Sequence, residues 1–416
     1  MTSTLRDSLK NKTRQMSENA VQILVTNRIH ADNNKSPLVR TSKTVCYSLN
    51  DVSKMPKLNL RIVKEAMESL KNKGHEFDLN GGGGAAKAYQ MSLGDVRMIY
   101  DECGIETHQE MKARLGLSPE GVVIAMINLK GGVGKTTASA SIGAGLTCSR
   151  NLICQRLKVL IIDMDPQGST SMAFGFTELA SSDKSAISAV MEGASPEELE
   201  SWILKTNNPG LDLLAASTND AFFNLFVSNK LREKGIDPSA NNFKFNELLE
   251  EYVVAPLRKK YDVIIFDCAP TIETSVINVL HSADGMLIPF ALDPFDFDST
   301  LKFITRLPMI FQSALPKRMD EGKIKFMASK MDETNIVHRD NYDTLNAYYS
   351  DILFNSHIPQ SRAFSTTINN QETIYDVPKK YYQGDIKSLN SAKAAMDRVV
   401  AEVFHRFITV GASHNE

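Results

Sequence analysis

The feature that most restricts this chain is an apolar run, Val122–Asn128, followed after one residue by Lys-Gly-Gly-Val-Gly-Lys-Thr-Thr at 130–137 and then by a helical pattern, Thr136–Cys148. A short run that is apolar at almost every position reads as a strand buried on both faces. Strand, glycine-rich loop and helix in that order confine the chain to α/β folds that bind phosphate. Gly131, Gly132 and Gly134 let backbone N–H groups turn inward as a nest for oxyanions. The helix adds the positive end of its dipole. The candidate nucleotide-binding residues are therefore Lys130, Gly131, Gly132, Val133, Gly134, Lys135, Thr136 and Thr137. Lys135 can reach the β- and γ-phosphates, and the Thr136 hydroxyl can complete a Mg²⁺ shell that otherwise keeps several waters. A glycine-rich turn that binds nothing is the bland alternative, and the flanking strand and helix argue against it.

Further short apolar runs at Val159–Asp163, Val263–Asp267 and Met286–Phe290 alternate with helical stretches. Such alternation predicts a mainly parallel, twisted sheet flanked by helices. Two of these strands end in carboxylates. Asp163 and Asp165 stand two residues apart, so in an extended segment they face the same way. Asp267 closes another run, and the carboxyl ends of strands are where α/β folds bind ligands.

Composition fits a folded chain of two or three domains: 416 residues, 42% hydrophobic and 23% charged. No apolar stretch approaches the roughly 18–20 residues that span a bilayer. The first 15 residues are basic without an apolar segment behind them, as expected of a chain lacking a secretory leader. Five cysteines form no CxxC pair, which suggests free thiols in a reducing compartment and offers no zinc site. Charge is unevenly spread. Residues 1–75 hold 14 of the 47 Lys and Arg but only 6 of the 49 Asp and Glu. A basic first fifth on an acidic body points to a partner bearing phosphates.

Three sections follow. Residues 1–45 open with Leu5, Leu9, Met16, Ala20, Ile23 and Leu24 at helical steps, an arm suited to dimerisation, before a loop-like stretch at 30–37. Residues 46–117 read as a short helix begun by Ser48, a break at Met55-Pro56 and a second helix, Asn59 to Lys73, closed by Gly74. A hairpin with a glycine-rich tip and a further helix after Ser92 complete the unit. That is the order of a winged helix-turn-helix. Leu60, Val63, Met67 and Leu70 form the inner face of the second helix. Asn59, Arg61, Lys64 and Lys71 form the face offered to DNA. Residues 118–416 make up the phosphate-binding domain.

The phosphate loop has Leu129 where the usual motif has its first glycine, and Lys130 beside it. This resembles the deviant Walker A motif of the ParA/MinD family of P-loop ATPases. The segments 158–169 and 261–270 resemble that family's switch and Walker B strands, although Ala269 replaces the first of two usual prolines. The resemblance spans about residues 120–400, and the two N-terminal sections resemble the large ParA branch that partitions plasmid and chromosomal DNA. It implies ATP and Mg²⁺ as cofactors, with Lys130, Lys135 and Asp165 catalytic: Lys130 reaching across a homodimer and Asp165 orienting water. Thr136, Asp163 and Asp267 would serve the metal. It also implies a cytoplasmic, nucleoid-associated protein and admits higher-order assembly on DNA. Its ParB-like partner would stimulate slow turnover, and the winged domain would repress the protein's own operon. Arg362, Lys379 and Lys380 are candidates for gripping DNA without sequence preference. The stretch 395–408 is amphipathic, but acidic residues interrupt its basic face, so a docked closing helix is expected rather than a membrane contact. The competing reading is a nucleotide-sensing repressor with no role in segregation.

Overall fold

The structure, a computed structural model, describes residues 45–80, 88–176, 184–233 and 245–409. The amphipathic pattern read at 5–24 lies outside them. Ser48 starts the first described helix, Leu49–Val52, through a reciprocal cap with Asp51. Asn59 caps the next, Leu60–Asn72, by accepting from the Ile62 N–H at 3.0 Å. Val63, Ala66, Met67 and Leu70 of that helix are buried with Val96, Ile99 and Tyr100 of the helix Leu93–Glu102. Leu60 departs from the expected stripe and is 48% exposed. It occupies the first helical position, where a side chain tilted toward the N-terminus projects past the helix end. Strands β1 (Leu79–Asn80) and β2 (Ala88–Tyr89) pair antiparallel as the expected wing, whose tip at 81–87 is outside the described residues. One helix not anticipated, His108–Arg114, follows, capped by Thr107 and Glu110.

The remainder is built on β3 (Val122–Met126), β4 (Val159–Asp163), β5 (Leu204–Lys205), β6 (Leu211–Leu214), β7 (Val263–Asp267), β8 (Gly285–Ala291) and β9 (Ile324–Ser329). These form one sheet in the order β5-β6-β4-β7-β3-β8-β9, all parallel except β5. The expected strands β4 and β7 appear with the anticipated limits, β8 gains a residue at each end, and β3 stops at Met126 rather than Asn128. Strands β5, β6 and β9 were not anticipated, because polar residues interrupt the apolar signal of the latter two. Asp212 within β6 meets the Tyr261 hydroxyl at 2.7 Å, and Lys325 within β9 donates to the Asp351 carbonyl at 3.1 Å. Each polar group is thus satisfied where the sheet buries it.

Alternation along β3 sends Ile124 and Met126 to one core and Val123 and Ala125 to the other. The first core holds the helices Lys135–Cys148 and Ile386–Val403 and is continuous with the apolar interior of the winged unit. Leu389, Met396, Val399, Val400 and Val403 are all buried, so the last helix docks as expected. Among the described residues no helix is long and apolar enough to cross a membrane. Arginines seal the seam with the winged unit. Arg97 donates to the Leu157 carbonyl at 2.7 Å and also to that of Pro209. Arg156 pairs with Asp101 at 2.8 Å, and Arg150 with Asp51 at 2.9 Å.

Candidate nucleotide-binding site

Strand β3 delivers the chain to the phosphate loop at the carboxyl edge of the sheet. Gly132 and Gly134 take φ of +78° and +83°, which side chains with a Cβ rarely adopt, and Gly134 is the N-cap of the helix Lys135–Cys148. Lys135 is 8% exposed, and its ammonium donates to the Lys130 carbonyl at 3.2 Å. Burial lowers its pKa, so a nearby anion is what this group most needs. Lys130 sits at the loop's start, with Nζ 3.2 Å from the Asp296 carboxylate.

Register places the carboxylates. Met126 of β3 pairs with Asp267 of β7, and Asp267 pairs with Asp163 of β4, so both acids end neighbouring strands beside the loop. Asp267 is 1% exposed and accepts from the hydroxyls of Thr136 at 3.1 Å, Ser139 at 2.9 Å and Thr170 at 2.6 Å. Burial raises its pKa, while those hydroxyls and Lys135 oppose the rise. Asp163 accepts from the Ser171 N–H at 2.8 Å and hydroxyl at 2.7 Å, and burial together with Asp267 pushes its pKa up to about 7. Two acids side by side in a buried place hold negative charge poorly unless a cation joins them. Hydroxyl and carboxylate oxygens are the donors a hard divalent ion takes, so Thr136, Asp163 and Asp267 fit Mg²⁺ held partly by phosphates and waters. Among the described residues no group of three or more His, Cys, Asp or Glu forms a cage on its own.

The strand that was to carry both Asp163 and Asp165 reaches only the first of them. Strand β4 ends at Asp163 and the chain turns, the Gly168 N–H donating to the Asp165 carbonyl at 2.7 Å. The two-residue period therefore stops before Asp165. Asp163 points into the interior, whereas Asp165 stays half-buried with its carboxylate accepting from the Gln167 N–H at 3.0 Å.

The predicted DNA-facing residues separate by duty. Arg61 is 87% exposed and pairs with Glu65 at 2.7 Å, and Lys64 is exposed. Asn59 spends its side-chain oxygen on the helix cap, and Lys71 donates to the Tyr89 hydroxyl at 2.6 Å, tying helix to wing. Arg362 opens the helix Arg362–Asn369, and Lys379 and Lys380 lie in the turn Lys379–Tyr381; all three are exposed. Asn128, Asp296 and Ser329 escaped the sequence reading. Ser329 donates to the Val133 carbonyl of the loop at 2.6 Å. None of the three belongs to a motif, although Asn128 is a polar residue ending an apolar run.

Known proteins resemble both parts of the chain. Residues 121–318 match an AAA domain family, and residues 18–112 match the ParA helix turn helix domain. Plasmid partition protein A of Escherichia coli is 27% identical over 371 residues, covering 86% of this chain and 88% of that protein. The chromosome partitioning protein ParA of Caulobacter vibrioides is 24% identical over 58% of this chain and 80% of its own length. A solved structure described as a partition protein shares the fold with a TM-score of 0.68 and 21% identity, over 94% of this chain and 98% of that one.

Proposed function

The chain belongs to the ParA family of DNA-partition ATPases, and on that premise we propose that it hydrolyses Mg·ATP to drive segregation of the DNA that encodes it. The observation that carries this reading is one cluster: loop, lysines and two buried acids meet at the ends of three adjacent strands. In that site the loop's N–H groups and Lys135 hold the phosphates, and Asp165 orients water for in-line attack on the γ-phosphorus. Thr136, Asp163 and Asp267 would hold Mg²⁺, which would supply charge neutralisation at the phosphates. Lys130 adds a second cation, delivered to the phosphates of a second subunit in a homodimer. Turnover is slow alone and rises with a ParB-like partner.

The dimer grips DNA without sequence preference through basic side chains that include Arg362, Lys379 and Lys380, in the ATP-bound state. The winged domain, 46–117, reads an operator with Arg61 and Lys64 and represses the protein's own operon. Residues 1–45 serve dimerisation, and residues 118–416 carry the ATPase. The protein works in the cytoplasm on the nucleoid.

Loss of a marked replicon over generations tests the segregation role. A replicon carrying the parent gene should be retained, and one carrying Lys135→Ala should be lost at the rate of random distribution. Equal retention of the two would leave only the repressor reading.

A further inference from the structure

Asn128 is wholly buried, and its side chain is fully engaged. Its Nδ2 donates to the Pro289 carbonyl of β8 at 2.9 Å and to the Thr300 hydroxyl oxygen at 3.1 Å. Its Oδ1 accepts from the Lys130 N–H at 3.0 Å. Thr300, 1% exposed, in turn donates to the Asp296 carbonyl at 3.0 Å within the helix Pro294–Ile304. One side chain therefore joins the exit of β3, the middle of β8 and the helix that carries Asp296, and it grips the backbone of Lys130 at their meeting point.

We infer that Asn128 is a positioning residue for Lys130, fixing its backbone relative to β8 and the Asp296 helix so that only the lysine side chain has to swing between Asp296 and a phosphate. This rests on the proposed role of Lys130 at the phosphates. The amide is suited to the task because it supplies two donors and an acceptor in one plane, and carries no charge into a buried place. An aspartate would lose both donors, and an aliphatic residue would leave the Lys130 N–H and the Pro289 carbonyl without partners. The nest at 131–134 does not bond to Asn128, and Lys135 reaches this network only through the Lys130 carbonyl, 3.2 Å from its ammonium. Nucleotide affinity and turnover should therefore respond differently.

The test uses the full chain and three measurements: thermal melting, affinity for a fluorescent ATP analogue, and steady-state hydrolysis with Mg²⁺. Asn128→Ala should bind the analogue within about threefold of the parent and hydrolyse ATP at least about tenfold more slowly, since small displacements of a reacting group cost rate before affinity. Thr300→Val, which keeps the shape but removes the acceptor, should lower turnover in the same direction by less. Thr300→Ser restores a hydroxyl and should keep the parent rate. Parent turnover in a folded Asn128→Ala variant would overturn the inference, as would equal losses of affinity and turnover. If Asn128→Ala does not fold, the Thr300 pair decides: slow hydrolysis by Val with parent hydrolysis by Ser supports it, and identical rates refute it. A parent protein that binds nucleotide without hydrolysing it would refute the ATPase reading itself, a result visible before any variant is compared.

Discussion

The Lys130 ammonium rests 3.2 Å from the Asp296 carboxylate, the contact it would give up to meet a phosphate in the proposed site. Both side chains are partly exposed, 38% and 25%, so the pair is screened and weak, on the order of 0.2–1 kcal/mol. Asp296→Asn removes the competing charge without changing shape. ATP-dependent turnover should rise by up to about fivefold, the factor that such an energy sets. A fall in turnover at unchanged nucleotide affinity would show that Asp296 assists the reaction rather than restraining Lys130.

Lys135 and Lys130 should fail differently. Lys135→Ala removes the loop's principal cation and should abolish nucleotide binding measured by fluorescent-analogue titration. Lys130→Ala should still bind nucleotide but lose hydrolysis and ATP-dependent association of subunits, read by sedimentation. Parent-like binding by the first variant would misplace the phosphate site, and parent-like hydrolysis by the second would remove its role at the phosphates.

Asp165→Ala should bind ATP and hydrolyse little of it. The hydroxyls on Asp267 and the partners of Asp163 are untouched by the change, so both buried acids stay in place. The ATP-bound form should then persist on DNA. Rapid phosphate release by this variant would move the water-orienting role to Asp163.

Position along the chain explains what the sequence disclosed. The loop, β4 and β7 were legible because each is a continuous apolar run ending in a polar signature, and the winged unit because Ser48, Gly74 and Ser92 punctuate it. Strands β6 and β9 were hidden by Asp212 and Lys325, whose partners Tyr261 and Asp351 are far away in sequence. Asp296 and Asn128 were hidden for the same reason. Their meaning lies in pairings with Lys130, Pro289 and Thr300 that only the packed sheet creates. The turn after Asp163 was invisible because strand periodicity carries no signal for where a strand stops.

Acid should loosen the chain near the seam with the winged unit. His108 is 2% exposed, edge-on to Phe404 with ring centroids 6.0 Å apart, and burial holds its pKa below the usual value. The unfolded chain therefore takes up a proton near the ordinary histidine pKa of about 6.5, before the folded chain does. Stability from this group is complete above that pH and is lost as pH falls toward the lower folded pKa. Thermal melts of His108→Gln should show a shallower decline on acidification than the parent. Identical slopes would place the acid-sensitive group elsewhere.

On the proposed function, the two DNA activities divide between segments. Arg61→Ala should cost about 1–3 kcal/mol at the operator if the guanidinium meets a guanine edge. Its pairing with Glu65 is exposed, so leaving it requires little. Replacing Lys379 and Lys380 should instead weaken ATP-dependent binding to random duplex and flatten its salt dependence, because fewer counterions are released. Loss of random-duplex binding in Arg61→Ala, with the operator unaffected, would reverse the assignment.

The most direct measurement is binding of the purified full chain to operator and to random duplex, without nucleotide, with ADP and with ATP, at several salt concentrations. Random duplex should be bound strongly only with ATP and Mg²⁺, while operator binding survives with ADP. Equal binding of random duplex in all three nucleotide states would contradict a partition ATPase whose grip on DNA is switched by the phosphate loop.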